Sequence, residues 1–274
     1  MNIGVFFGSR SPEHDVSIIT GEFIISGLKK LNYEVTPVYL DKQGRWFLSD
    51  KLSKLSFFKD GGDVDKLKPY MLDLEKSVGK MVFKQKGIIG KEIIIDLAFP
   101  AFHGQNGEDG TIQGLFELCN IPYTGCDVAS SAITMDKVLT KEFYLAHDIT
   151  TTKFVSFSAN DFSNDKAKII QKIEELKYPL FVKPARLGSS IGIGKAKNKE
   201  ELEQAIEVAL HYENKILVEE GVEDLMDVTC AVLGNENSKA SVLQESLFNE
   251  DLFSYEDKYL DEGGAQLGKA EDKL

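Results

Sequence analysis

Six stretches of the 274-residue sequence concentrate side chains able to hold a charged small molecule. SPEHDVS at 11–17 places Ser11, Glu13 and Asp15 ahead of an apolar periodic segment. These residues can cap a helix, and the helix N-terminus can also draw an anion. FHGQNGEDG at 102–110 crowds three glycines, His103 and two acids into one loop. A flexible turn would look similar, but a histidine beside glycines at a strand end is better placed for a ligand than for a core. TMDK at 134–137 puts Lys137 in the first turn of a helix. The helix dipole disfavours a cation there unless Asp136 or a bound phosphate compensates.

FVKPARLGSSIGIGKA at 181–196 ends an apolar strand on Lys183. It continues into a loop with Gly188, Ser189, Ser190, Gly192 and Gly194, whose amides can wrap a polyphosphate. It is not a Walker A loop, because the spacing and the Lys-Ser/Thr pair are missing. VEEGVEDLMDVT at 218–229 closes one strand on Glu219 and Glu220 and opens another at Asp227, which would also suit a solvated strand end. SYEDKY at 254–259 sets Lys258 and Tyr259 in a polar loop that gives no local reason to single them out.

The elements that must position these residues follow from apolar periodicity. Ile3, Val5, Phe6 and Phe7, closed by Gly8, fit a buried strand. Val16, Ile19, Phe23, Ile24, Leu28 and Leu31 recur at helical spacing. Strands are expected over Tyr33–Leu40, Arg45–Leu48 after a hairpin turn, Met81–Phe83 and Glu92–Phe99, with a helix over Thr111–Cys119. Residues 49–77 show no usable period. The β-α-β alternation predicts a three-layer α/β domain over 1–126. A second unit, 127–274, is expected from a helix over Thr134–His147, strands at Phe154, Leu180 and Ile216, helices over Lys166–Leu176 and Lys199–His211, and antiparallel strands Asp227–Leu233 and Ala240–Leu243.

Composition narrows the function. With 32 basic and 44 acidic residues the net charge is −12, which argues against a nucleic-acid or anionic-membrane partner. Three cysteines without metal-ligand spacing suit reduced thiols, and no leader or membrane-length apolar run is visible, so a cytoplasmic protein is expected.

Taken in order, SPEHDVS, FHGQNGEDG, PYTG at 122–125, MDK, VKPARLGSS, VEE and YEDKY resemble the D-alanine–D-alanine ligases of the ATP-grasp superfamily. The resemblance implies an N-terminal α/β domain and an ATP-grasp domain, with a first lobe over 127–221 and the start of a second over 222–274. It implies phosphorylation of one D-alanine carboxylate by ATP, with magnesium or manganese, and attack on the acyl phosphate by the amine of a second D-alanine. Lys137 and Lys183 would hold ATP phosphates under the loop bearing Ser189 and Ser190. Glu219 would accept from the adenine amino group, Gly221 and Val222 would meet the adenine edge, and Asp227, where the family more often has Glu, would bind ribose. Glu13 would anchor the first D-alanine's ammonium, with His103 near its carboxyl end. Ser189 and Tyr259 would hydrogen-bond with Glu13, and Lys258 would reach the transferring phosphate. A homodimer is expected by the same analogy.

The family's magnesium ligands and an arginine for the tetrahedral intermediate lie further along than Leu274. The expectation is therefore a fragment, inactive alone, of a chain longer by roughly 70–100 residues. Two rivals are a ligase joining D-alanine to D-lactate or D-serine, and an inactive nucleotide-binding truncation. Tyr259 weighs against D-lactate.

Overall fold

The computed structural model describes residues 1–59, 62–87 and 90–246. They fall into two compact units, each described by itself. Of the described residues, the first comprises Met1–Ile149 with Ala185–Gly188; the second comprises Thr150–Pro184 and residues 189–246.

The first unit begins with β1 (Asn2–Gly8), α1 (His14–Lys30), β2 (Glu34–Leu40) and β3 (Trp46–Leu48). It continues with α2 (Leu55–Lys59), β4 (Tyr70–Leu72), β5 (Met81–Gln85), β6 (Glu92–Ile95) and β7 (Leu97–Pro100), then α3 (Thr111–Leu118), α4 (Val128–Met135) and α5 (Lys137–Ala146). The strands form one sheet in the order β6-β5-β4-β3-β2-β1-β7. β1 pairs in parallel with β2 and β7, while β2 through β6 run as an antiparallel meander.

Successive residues of β1 face opposite sides, which makes the three layers. Phe6 packs with Met81, Phe83, Ile95 and the α3 residues Ile112 and Phe116. Val5 and Phe7 pack on the other face with Ile18 and Ile25 of α1, Tyr39 and Phe47. The Phe6 and Phe116 rings meet edge to face at 5.1 Å.

The hairpin expected after Leu40 is present. Asp41 holds its turn by accepting from the Gln43 and Arg45 amides at 3.0 and 2.7 Å and pairing with the Arg45 guanidinium at 2.6 Å. In the stretch that showed no period, β4 is only three residues long, too short for alternation to register. The helix expected over Thr134–His147 is two helices. Asp136 is extended, at φ −90° and ψ 106°, and caps α5 by accepting from the Val138 and Leu139 amides.

The second unit holds β8 (Phe154–Ser158), α6 (Ala159–Asn164), α7 (Lys166–Ile173), β9 (Leu180–Pro184), β10 (Gly194–Ala196), α8 (Lys199–Tyr212) and β11 (Lys215–Glu220). Its antiparallel sheet runs β10-β9-β11-β8. One face, with Leu180, Val182, Ile216 and Val218, packs on Ile169, Ile170 and Ile173 of α7 and Leu202, Ile206 and Ala209 of α8. The alternate residues Phe181, Lys183, Leu217 and Glu219 therefore belong to the opposite face.

Beyond it, β12 (Asp227–Thr229), β13 (Val232–Leu233), β14 (Lys239–Ala240) and β15 (Gln244–Ser246) pair as two nested hairpins, β13 with β14 and β12 with β15. The expected continuous pairing to Leu243 is interrupted where the Ser241 hydroxyl accepts from the Ala231 amide at 3.0 Å. Among the described residues no helix is long and apolar enough to cross a membrane.

Two apolar residues of α3 give a direct check on this layering. Phe116 is fully buried, whereas Leu118 is 82% exposed. Phe116→Ala should destabilise the first unit by about 3–5 kcal/mol. Leu118→Ala should stay within about 0.5 kcal/mol of wild type in urea denaturation. Equal losses would mean that α3 presents a different face to the sheet.

Candidate functional site

The pairing of Phe6 with Pro100 sets the carboxyl ends of β1 and β7 side by side, so the loops that follow them leave the sheet together. Ser17, fully buried on α1, pins both: its hydroxyl accepts from the Gly8 amide at 2.8 Å and donates to the Ala101 carbonyl at 2.8 Å.

Glu13 occupies the N-cap position of α1, yet its side chain makes no cap hydrogen bond. Instead the Ser11 hydroxyl accepts from the Glu13 amide at 3.1 Å. The Glu13 side chain is buried and lies against two glycines of the same unit. At Gly104, which has φ +71°, an added Cβ would lie 2.6 Å from the Ser11 hydroxyl and would also run into the Glu13 carboxylate. At Gly188 a Cβ would lie 3.1 Å from a Glu13 oxygen. Glycine is therefore required at Gly104, and a side chain at Gly188 would press on this acid. His103 is half-buried, and its Nε2 pairs with the Thr20 hydroxyl at 2.8 Å. In the same loop, Glu108 accepts from the Gly104 amide at 2.9 Å. Surrounding protein pushes the Glu108 carboxyl upward, opposed by that hydrogen bond and by His103. More than a third of the residue remains in solvent, which keeps the push modest.

Lys137 opens α5, as its segment suggested. Its amide donates to the Ala185 carbonyl at 2.9 Å, and its ammonium donates to the Leu187 carbonyl at 2.5 Å. Asp136 serves as the local compensation for a cation at a helix start.

In the second unit Lys183 and Glu219 form an ion pair at 2.6 Å, with side chains 25% and 11% exposed. The second Glu219 oxygen accepts from the Thr152 hydroxyl at 2.6 Å. Both oxygens are engaged, although a carboxylate keeps further lone pairs for another donor. Lys183 and Lys195 each reach over the Phe181 ring, at 5.7 and 5.9 Å from its centroid. This sheet face thus combines an apolar ring, two ammonium groups and a buried carboxylate.

Ser189 and Ser190 sit at φ +50° and +60°, followed by Gly192 at +70°. Left-handed backbone costs a non-glycine residue on the order of 1 kcal/mol or more, and such strain concentrates at ligand-clamping segments. The Gly221 amide is used by the Pro179 carbonyl at 2.8 Å, so only its carbonyl could serve a ligand. Val222 is exposed, and Asp227 is half-buried at the start of β12. Lys258 and Tyr259 lie outside the described residues. Among the described residues no group of three or more His, Cys, Asp or Glu side chains is placed to hold a metal.

The structure adds supports to which the sequence reading gave no role: Ser17 and Phe181 within the quoted motifs, and Thr20 and Thr152 outside them. Phe181 carried a signal, since it stands two residues before Lys183 and so shares its strand face. Thr20 and Thr152 carried none, because their partners are 83 and 67 residues away.

Residues 2–126 match the family model for the D-ala D-ala ligase N-terminus, and residues 143–271 match that for the C-terminus. A D-alanine–D-alanine ligase from Thermosipho africanus is 39% identical over 263 residues, covering 96% of this chain and 70% of the relative. Among solved structures, the D-alanine-D-alanine ligase from Coxiella burnetii superposes with a TM-score of 0.76 at 30% identity, covering 90% of this chain and 71% of that one. The VanG D-Ala:D-Ser ligase from Enterococcus faecalis gives 0.75 at 34% identity, with 89% and 69% covered.

The SPEHDVS loop also holds a buried histidine. His14 Nδ1 donates to the Ser9 carbonyl at 2.6 Å, which leaves Nε2 to accept from the Tyr39 hydroxyl at 2.9 Å. Burial pushes the His14 pKa below its ordinary 6.5, and Lys42 adds to this against the Ser9 bond and the acids Asp15 and Asp41. Because the folded state resists the proton, the stability from neutral His14 is complete above about pH 6.5 and is lost as pH falls toward the lowered folded value. His14→Asn should therefore lose less stability than wild type between about pH 7.5 and about pH 5.5 in urea titrations. Parallel loss in both proteins would contradict a neutral His14.

Proposed function

The chain belongs to the D-alanine–D-alanine ligase family, and on that premise we propose how its own residues divide the work of joining two D-alanines. Ligases of this family use ATP. The observation that carries the proposal is the burial of Glu13 between the two glycine-bearing loops, away from any capping role. A buried carboxylate favours a cationic partner. The ammonium of the first D-alanine supplies one, and a lactate hydroxyl in its place would not. His103, oriented by Thr20, then stands near the substrate's carboxyl end.

Bound ATP supplies the phosphoryl group that turns the D-alanine carboxylate into an acyl phosphate, which the second amine can attack. Lys183 provides charge for the phosphates, and the strained Ser189–Ser190 backbone offers amides around them; the part of Lys137 in holding them rests on the family resemblance alone. A ring stacked on Phe181 fits the sheet face, with Glu219 accepting from the adenine amino group, the Gly221 carbonyl and Val222 at its edge, and Asp227 toward the ribose. Lys258 at the transferring phosphate, and Tyr259 with Ser189 in a latch on Glu13, rest on the family resemblance alone. The described residues assign no ligand to magnesium or manganese. The same reading places the enzyme in the cytoplasm as a homodimer, with a pre-ATP-grasp domain over 1–126 followed by the ATP-grasp domain.

Two substitutions separate these roles. Lys183→Gln should weaken ATP binding by about 1.5–3 kcal/mol, the scale for a hydrogen bond to a charged group. Glu13→Gln should weaken D-alanine by a similar, roughly 10–150-fold factor and leave ATP affinity alone. Calorimetric titration of each variant with each ligand checks both. Unchanged D-alanine binding in Glu13→Gln would remove the ammonium site and leave the SPEHDVS loop as a helix start.

A further inference from the structure

Glu219 stands in a row of side chains that crosses the sheet of the second unit. Its Cα partners are Phe154 on β8 and Phe181 on β9, and Phe181 is in turn opposite Lys195 on β10. Directly opposed residues of antiparallel strands point to one face. Val155 and Phe157 of β8 join the core with α7 and α8, so Phe154, Glu219, Phe181 and Lys195 share the other face. The backbone just after Glu219 is tied on both sides. The Glu220 amide donates to the Lys153 carbonyl at 3.0 Å, and the Gly221 amide to the Pro179 carbonyl at 2.8 Å. The first of these bonds carries the β8 pairing past the end of that strand and brings Thr152 beside Glu219.

A glutamate's terminal torsion is broad, so one anchor leaves the carboxylate plane free to turn. Here two anchors sit on different oxygens: the Lys183 ammonium on Oε1 and the Thr152 hydroxyl on Oε2, each at 2.6 Å. They are not equivalent. Lys183 carries three donors and a charge on a long, flexible stem, and in the site proposed above the phosphates compete for it. Thr152 is branched at Cβ and stiff, and its hydroxyl has no charge for a phosphate to draw. It is the anchor that stays when a nucleotide enters.

We propose that Thr152, acting through Glu219, is a positioning residue that sets base specificity. It holds the carboxylate as a fixed acceptor, so the site selects a nucleoside triphosphate whose purine carries an exocyclic amino group. A purine with a carbonyl at the same ring position is rejected. The inference rests on the placement of the base on Phe181 against Glu219. A carboxylate has about four lone-pair sites, so two anchors do not exhaust it and the amino group has an acceptor. A carbonyl there sets two acceptors against each other. A site built around a hydrogen bond rejects the analogue that cannot make it more strongly than it rejects a change in apolar bulk. Without Thr152 the carboxylate turns with Lys183, and the amino group loses its aligned acceptor.

The intact chain is titrated calorimetrically with ATP and with inosine triphosphate, which carry an amino group and a carbonyl at that position. The wild type should prefer ATP by about tenfold or more, the equivalent of one hydrogen bond of ~1.4 kcal/mol. Thr152→Val keeps the shape of the side chain and removes the donor. It should bring the preference down to about twofold or less, through weaker ATP binding with inosine triphosphate little changed. Thr152→Ala, with less bulk to place, should behave as the valine does. Thr152→Ser restores the donor and should restore the preference. A merely structural role would weaken both nucleotides alike. Glu219→Gln separates the proposal from the reading it rests on, because its amide can donate to a carbonyl and the preference should collapse. A wild type that fails to bind ATP or binds both nucleotides equally, or a Glu219→Gln protein that keeps the preference, would remove the base from Glu219 and the proposal with it. A preference that collapses in Glu219→Gln but persists in Thr152→Val, or parallel losses of both nucleotides in Thr152→Val, would overturn the role of Thr152 alone.

Discussion

One buried hydroxyl sets the geometry on which the proposed amino-acid site depends. Ser17 joins the last amide of β1 to the chain just past β7, at 2.8 Å in each direction, from the first turns of α1. Those three elements carry the SPEHDVS loop, the start of α1 and the approach to FHGQNGEDG. With Ser17 in place, Gly104 can close on Ser11 and Glu13, and His103 reaches Thr20 on the same helix. Alanine at 17 would leave a buried donor and a buried acceptor without their partner at once. Unmade buried bonds are costlier than made ones are favourable, so the constraint is stronger than a single hydrogen bond suggests.

The proposed nucleotide site relies on a different kind of device. The Lys183–Glu219 pair is largely buried on its sheet face. Pairs of this sort contribute little net stability, because desolvation offsets most of the attraction. What the pair does is place an ammonium and a carboxylate at fixed positions beside Phe181, with Thr152 locking the second oxygen. The left-handed backbone at Ser189 and Ser190 likewise costs stability where amides are wanted. Stability itself comes from the opposite face, where α7 and α8 cover Leu180, Val182, Ile216 and Val218. The proposed site and the core thus use alternate residues of the same strands.

That alternation explains what could be read from the sequence. Val5, Phe6 and Phe7 announced a strand buried on both faces, and Lys183 announced a strand end with a task. The hairpin at Asp41 was legible because one aspartate serves three donors within four residues. β4 was not legible, since three residues cannot show a period and their partners, Trp46 and Gln85, are far away in sequence. The break at Asp136 was missed because an aspartate inside an apolar period looks like a solvated position until its capping bonds are seen. The motifs marked the loops that carry chemistry but not the threonines that orient their side chains, because those contacts are made entirely by tertiary structure. Glu13 shows the same limit from the other direction: its position before α1 suggested a cap, and only the fold shows its side chain turned to the glycines instead.

The central claim is that the two loops of the first unit act as one amino-acid site because Ser17 holds them together. The most direct measurement is the binding of D-alanine and of ATP, each titrated separately, to the Ser17→Ala protein. D-alanine affinity should fall by about tenfold or more, the equivalent of one lost buried hydrogen bond of ~1.4 kcal/mol, with ATP affinity unchanged. Unaltered D-alanine affinity in a folded Ser17→Ala protein would contradict the account.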